Sequence, residues 1–149
     1  MMKNTSAIVL SLLFFSSCNK EKKEESKKTA VKTTQTETCY QYTKDSSTIK
    51  LNITIRDKKV TGNLLYDYYQ KDRSAGKIKG EIKSDTLFAT YTFVSEGVES
   101  EREVVFLKTA NGWVEGYGEI DDKDGKVMFK NRNKITFDNN AMLKQTACQ

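Results

Sequence analysis

The chain has 149 residues, 25 lysines and arginines against 20 aspartates and glutamates, 37% apolar residues, and neither histidine nor proline. Without histidine there is no Ser-His-Asp or Cys-His triad and no HExxH zinc helix, and no Gly-rich phosphate loop occurs. The length suits one domain, and the net charge of +5 owes much to Lys3 and the lysines of residues 19–38, so it does not point to nucleic-acid binding.

In chain order, Lys3 precedes the apolar run Ala7–Phe15 (AIVLSLLFF). That run is too short for a bilayer span of about 20 residues, and residues 1–17 read as a signal peptide. Ser16, Ser17 and Cys18 follow. Apolar run, small residues and Cys resemble the lipobox of bacterial lipoproteins, with Phe15 where Leu, Val or Ile is commoner. The resemblance implies that Cys18 is lipidated and that the membrane is a partner through this lipid. Asn19 stands where an Asp would retain a lipoprotein in the inner membrane. Lys20-Glu21-Lys22-Lys23-Glu24-Glu25 is similar to the stretch that sends lipoproteins of Bacteroidota to the outer face of the outer membrane. The expected location is therefore the bacterial outer membrane, on the surface in preference to the periplasm.

Residues 18–38 hold the lipidated Cys and then a tether with one large aliphatic, Val31, and no aromatic. Such a segment buries too little apolar area to offset its ordering entropy and is expected to be disordered. Composition changes at Cys39-Tyr40, so residues 39–149 form the folded unit.

Alternation there predicts strands. Ile49, Leu51, Ile53 and Ile55 alternate with polar residues. After a turn at Arg56-Asp57-Lys58, Val60, Gly62, Leu64, Tyr66 and Tyr68 share one face. A turn at Ser74-Ala75-Gly76 leads to Ile78, Gly80 and Ile82, then to Leu87, Ala89, Tyr91 and Phe93. A polar loop is expected over Ser95–Glu101, followed by strands at Val104–Leu107, Trp113–Ile120, Val127–Phe129 and Ile135–Phe137. Ala141–Cys148 has room for one helical turn. The prediction is all-β: an antiparallel up-and-down meander of eight or nine short strands, closed into a small barrel or strongly curved, with a two-sheet sandwich as the alternative. Gly62, Gly80 and Gly116 interrupt strands and read as bends, or as space for a ligand. Gly118 beside Gly116 marks where an interior cavity would open.

Few residues point to chemistry. With Cys18 assigned to lipid, Cys39 and Cys148 are expected to form a disulfide, two free thiols being the alternative. Glu96, Glu99, Glu101 and Glu103 with Arg102 read as a solvated hairpin. Asp121–Gly125 falls short of a DxDxDG calcium loop, because Ile120 stands where the first Asp belongs. No catalytic residue, metal ligand or cofactor is assigned. Trp113 and Tyr117 share a face with Glu115 and Glu119 and are expected to face solvent; with Tyr66 and Tyr68 they are the candidate binding residues, since exposed aromatics anchor recognition surfaces.

Gly80–Phe93 (GEIKSDTLFATYTF), Ser95–Leu107 (SEGVESEREVVFL) and the terminal Cys148, together with leader and tether, resemble small lipoproteins of Bacteroidota with a lipocalin-like β-barrel domain. The chain has no lipocalin GxW motif near its first strand, and the resemblance carries no catalytic residue with it. The expected function is a membrane-anchored envelope lipoprotein, not an enzyme, acting as a binding module for a protein or envelope polymer. The alternative is a carrier with a small ligand inside the barrel. A monomer that binds no nucleic acid is expected.

Overall fold

A computed structural model describes residues 36–149; the predicted signal peptide, Cys18 and nearly all of the predicted tether lie outside the described residues. Ten strands follow in order: β1 Glu37–Lys44, β2 Ser47–Arg56, β3 Lys59–Asp67, β4 Ser74–Lys83, β5 Thr86–Ser95, β6 Val98–Thr109, β7 Gly112–Tyr117, β8 Ile120–Lys123, β9 Lys126–Phe129 and β10 Thr136–Thr146. Each of β1 to β6 pairs antiparallel with the next, and β10 fits between β7 and β1. The result is a closed eight-stranded barrel, an arrangement that leaves no free barrel edge.

Alternation decides which side chains enter. Ile49, Leu51 and Ile53 of β2 are buried, as are Val60, Leu64 and Tyr66 of β3 and Leu87, Ala89 and Tyr91 of β5. Trp113, Tyr91, Phe106, Leu51, Leu64 and Leu143 are among the largest fully buried side chains, so the middle of the barrel is packed. The hairpin turns Asp45-Ser46 and Glu96-Gly97 place both residues at positive φ (48° and 65°, 51° and 80°). Primed turns of that kind match the twist of the strands they join.

Of the three strand glycines, Gly62 and Gly80 stand where a side chain would strike the backbone of the neighbouring strand. A Cβ on Gly62 would lie 1.9 Å from the carbonyl oxygen of Asn52 on the neighbouring strand. Gly62 pairs with Ile53 and faces inward, so its missing side chain lets β2 and β3 coil tightly together. Gly116 differs: it faces outward, where a Cβ would meet Ile135, Phe137 and Val105 at 2.6–2.8 Å. Gly118 lies against Phe129 and Ile135. These two glycines therefore seat an outer apolar cluster, and the space they leave is filled by it rather than turned to the barrel interior.

That cluster belongs to an excursion between β7 and β10. The β8–β9 hairpin and one turn of 3-10 helix, Arg132–Lys134, lie on the outside of the barrel. β9 runs parallel to β6 at Glu101↔Lys126 and Arg102↔Val127. Lys126 pairs with Glu101 at 2.9 Å. The buried Glu103 carboxylate takes Arg132 at 2.5 Å and the Phe129 N–H at 3.1 Å. Arg132 also lies 5.0 Å over the Phe88 ring.

Four local expectations change. Ser95–Glu101 is no loop, because β5 and β6 run on to the two-residue turn at Glu96-Gly97. Ser74–Gly76 belongs to β4, and the chain reverses over residues 68–73. Ala141–Cys148 forms no helical turn; Met142 and Leu143 pair with Val114 and Trp113, after a bulge at residues 138–141. Glu103 is not solvated, since the excursion covers it. Cys39 and Cys148 are joined by a disulfide, Cα to Cα 5.2 Å. It sits at the seam where Cys39 pairs with Thr146.

Candidate functional site at the barrel mouth

The two ends of the barrel differ. One end carries the turns at Asp57-Lys58, Ser84-Asp85 and Ala110-Asn111, together with the start of β1. At the other, which we call the mouth, lie the 68–73 loop, the Glu96-Gly97 turn and the end of β7. The exposed Tyr68, Tyr69, Val94, Val98 and Tyr117 all belong to this end. A concentration of exposed apolar side chains on one surface marks a place of contact.

Five consecutive strands supply the inward side chains of the mouth. β3 leads to Tyr66 and, just past its end, Tyr68; the two rings stack with centroids 5.8 Å apart. Ser74 of β4 and Tyr91 of β5 share a hydrogen bond of 2.8 Å between their hydroxyls. Phe93 stacks on Tyr91 at 4.7 Å. Arg102 of β6 pairs across from Tyr91 and follows the inward parity of Val104 and Phe106. Its guanidinium lies 4.7 Å from the Tyr66 ring centroid, 5.3 Å from Tyr91 and 5.7 Å from Phe93. Each such cation–ring contact is worth about 0.5–2 kcal/mol, most where water is excluded.

β7 brings Glu115 and Tyr117. Glu115 is 6% exposed, and both its oxygens are taken: Tyr66 donates at 2.5 Å and Tyr117 at 3.1 Å. Burial pushes the Glu115 carboxyl above the usual carboxylate range, against the opposing pull of the Tyr66 hydrogen bond, the Arg102 charge and the Tyr117 hydrogen bond. Burial, then the charge of Glu115, holds the Tyr66 hydroxyl protonated well beyond the ordinary tyrosine range. Tyr117 moves the same way for the same two reasons. Hydrogen bonds to an ionised acceptor contribute about 1.5–3 kcal/mol each, which offsets part of the cost of burying Glu115. Among the described residues, Arg102 and Glu115 make no ion pair with each other. The carboxylate is claimed by tyrosines and the guanidinium by rings.

The four candidate binding residues separate. Tyr66, Tyr68 and Tyr117 meet at the mouth, with Tyr68 37% and Tyr117 48% exposed. Trp113 does not: it is 1% exposed, packed edge-on against Tyr40 at 6.3 Å in the middle of the barrel. The expected orientation of β7 is thus corrected. Trp113 and Glu115 face inward, because Val114 and Gly116 are needed outside against the excursion. Arg102 and Glu115 are the site residues that pattern reading missed. The signal for Arg102 was present: inward parity counted back from Phe106 and Val104 reaches it. Elsewhere, Asp122 accepts the Gly125 N–H at 3.0 Å and shapes the β8–β9 turn. Glu37 lies within 4.8 Å of the Cys39 and Cys148 sulfurs, which are bonded to each other.

Chemically the mouth combines a guanidinium fixed over three rings, a rim of aromatic side chains and several hydroxyls. No family model, no curated protein and no solved structure matches the chain.

Proposed function

We propose that the protein is a lipid-anchored envelope binding module that engages its partner, a protein or an envelope polymer, through the barrel mouth. The observation that carries this reading is the rim of exposed Tyr68 and Tyr117 around a guanidinium already fixed on three rings. Preorganised aromatic and arginine side chains are what recognition hot spots are made of. The packed middle of the barrel supports an end-on contact over an enclosed ligand. The lipobox-like Ser16-Ser17-Cys18 and the charged run after it support anchoring at the envelope. Glu115, the buried carboxylate of the mouth, has both oxygens engaged by tyrosines, which supports binding over catalysis.

The test is an isotope-labelled NMR titration with polymer fractions from a bacterial envelope. Shifts concentrated at Tyr68, Arg102 and Tyr117 are expected. Shifts confined to the outer face of β2–β4 would overturn the mouth as the contact surface. Native mass spectrometry of the protein after exposure to the same extract covers the carrier alternative: a discrete small-molecule adduct would replace the module by a carrier.

A further inference from the structure

Resting on that reading of the mouth, we propose that its ligand is an acidic sugar, a uronate-type ring whose carboxylate is taken by Arg102. The guanidinium is unusual in having no acceptor. Its Nε is sealed from solvent without a hydrogen-bond partner. Among the described residues the terminal nitrogens also make neither a hydrogen bond nor an ion pair, and they are the part that solvent reaches. The guanidinium carbon lies over the Tyr66, Tyr91 and Phe93 rings, which hold it in place and leave its terminal donors free. A planar fork of donors fixed in place matches a carboxylate, with two parallel hydrogen bonds. The nearest internal candidate, Glu115, is already held by Tyr66 and Tyr117. Its burial also drives it toward the neutral form, leaving the positive charge of Arg102 less compensated.

The body of the ligand follows from the rim. Tyr68 and Tyr117 offer half-exposed ring faces, against which the C–H face of a sugar ring stacks. The hydroxyls of Tyr117 and Ser74 are already bonded, to Glu115 and Tyr91, so each keeps only part of its capacity for a sugar hydroxyl. Beside them a cavity of about 390 Å³ is lined by Ser74, Phe93, Arg73, Asp72 and Glu96 among others. Asp72 and Glu96 against the single cation Arg73 leave that lining net negative, which disfavours a second carboxylate. One acid group on an otherwise neutral, hydroxyl-rich ring is the composition that fits. The packed core below the mouth limits the contact to the exposed end of such a polymer or to a single ring.

The test titrates the full isotope-labelled protein with methyl glucuronide, with methyl glucoside, which differs only in lacking the carboxylate, and with N-acetylalanine, a carboxylate without a sugar. The glucuronide is expected to shift Tyr68, Arg102 and Tyr117 signals and to bind roughly tenfold or more tightly than the other two, the gain from charge-assisted hydrogen bonds. Added salt should weaken it. Arg102→Gln is expected to remove the preference for glucuronide over glucoside. Arg102→Lys, which keeps the charge without the planar fork, should retain only part of it, and the same spectra report whether either variant is folded. Equal binding of glucuronide and glucoside at the mouth would overturn the carboxylate assignment and leave the mouth as a sugar site. Equal binding of N-acetylalanine would overturn the sugar. No shifts with any of the three would overturn this inference alone, whereas binding confined to a surface away from the mouth would overturn both it and the reading beneath it.

Discussion

Glu115 is one carboxylate among the acidic residues, yet it fixes two tyrosines and is felt by Arg102. Its folded value is raised above the ordinary 4.5, chiefly by burial. A carboxyl raised on folding adds stability that is fully present below its unfolded value and is lost as pH climbs through its folded value. Wild type should therefore lose stability relative to Glu115→Gln between pH 4.5 and neutral pH, as the buried charge forms. Urea midpoints of the two proteins across that window check it, and a constant difference would mean that Glu115 titrates as an exposed carboxyl. At this scale the sequence was partly readable. Tyr66 and Tyr68 emerged because they alternate with an aliphatic run. Arg102 was hidden because its neighbours Glu101 and Glu103 make the whole stretch look polar, although they face the other side.

At the scale of elements, the barrel depends on strands that coil closely, and Gly62 is where two backbones leave no room for a side chain. Gly62→Ala is expected to cost about 3 kcal/mol, because the clash is with backbone and cannot be relieved by rotating a side chain. Gly118→Ala, whose added Cβ would be 3.3 Å from its nearest neighbour, should stay within about 0.5 kcal/mol. Chemical denaturation of both variants separates strain from a general intolerance of alanine. Strands with one wet face, such as β2 and β4, were legible from alternation alone. β7 was not, because both its faces are covered: Trp113 by the core, Val114 and Gly116 by Phe137 and Ile135. Period-2 patterning tells the two faces of a strand apart but does not say which is inside when water touches neither. β10 was concealed for another reason, since the bulge at residues 138–141 interrupts its alternation with Asp138, Asn139 and Asn140.

For the molecule as a whole, the closed barrel and the Cys39–Cys148 disulfide follow from simple counts of strands and cysteines. The shape of its mouth does not, because it is assembled from five strands whose mutual register no local pattern states. The disulfide spans 109 positions of sequence, and closing a loop of that size constrains the unfolded chain by roughly 4–5 kcal/mol. Cys148→Ser should lower the unfolding free energy by about that amount. Urea titrations with and without reductant check this, and coincident curves would mean that the pairing of β1 with β10 carries the seam unaided. The same seam has a mechanical meaning. β1 begins at the end of the barrel away from the mouth, and the bridge lies two residues inside it. A pull on the chain from its N-terminal side therefore passes through a covalent link into β10 before it can peel β1 from β2. The load enters and is shared at the far end, while β3 to β6, which pair with neither β1 nor β10, stay out of its path. A barrel closed this way can be pulled from its N-terminal side without its mouth changing shape.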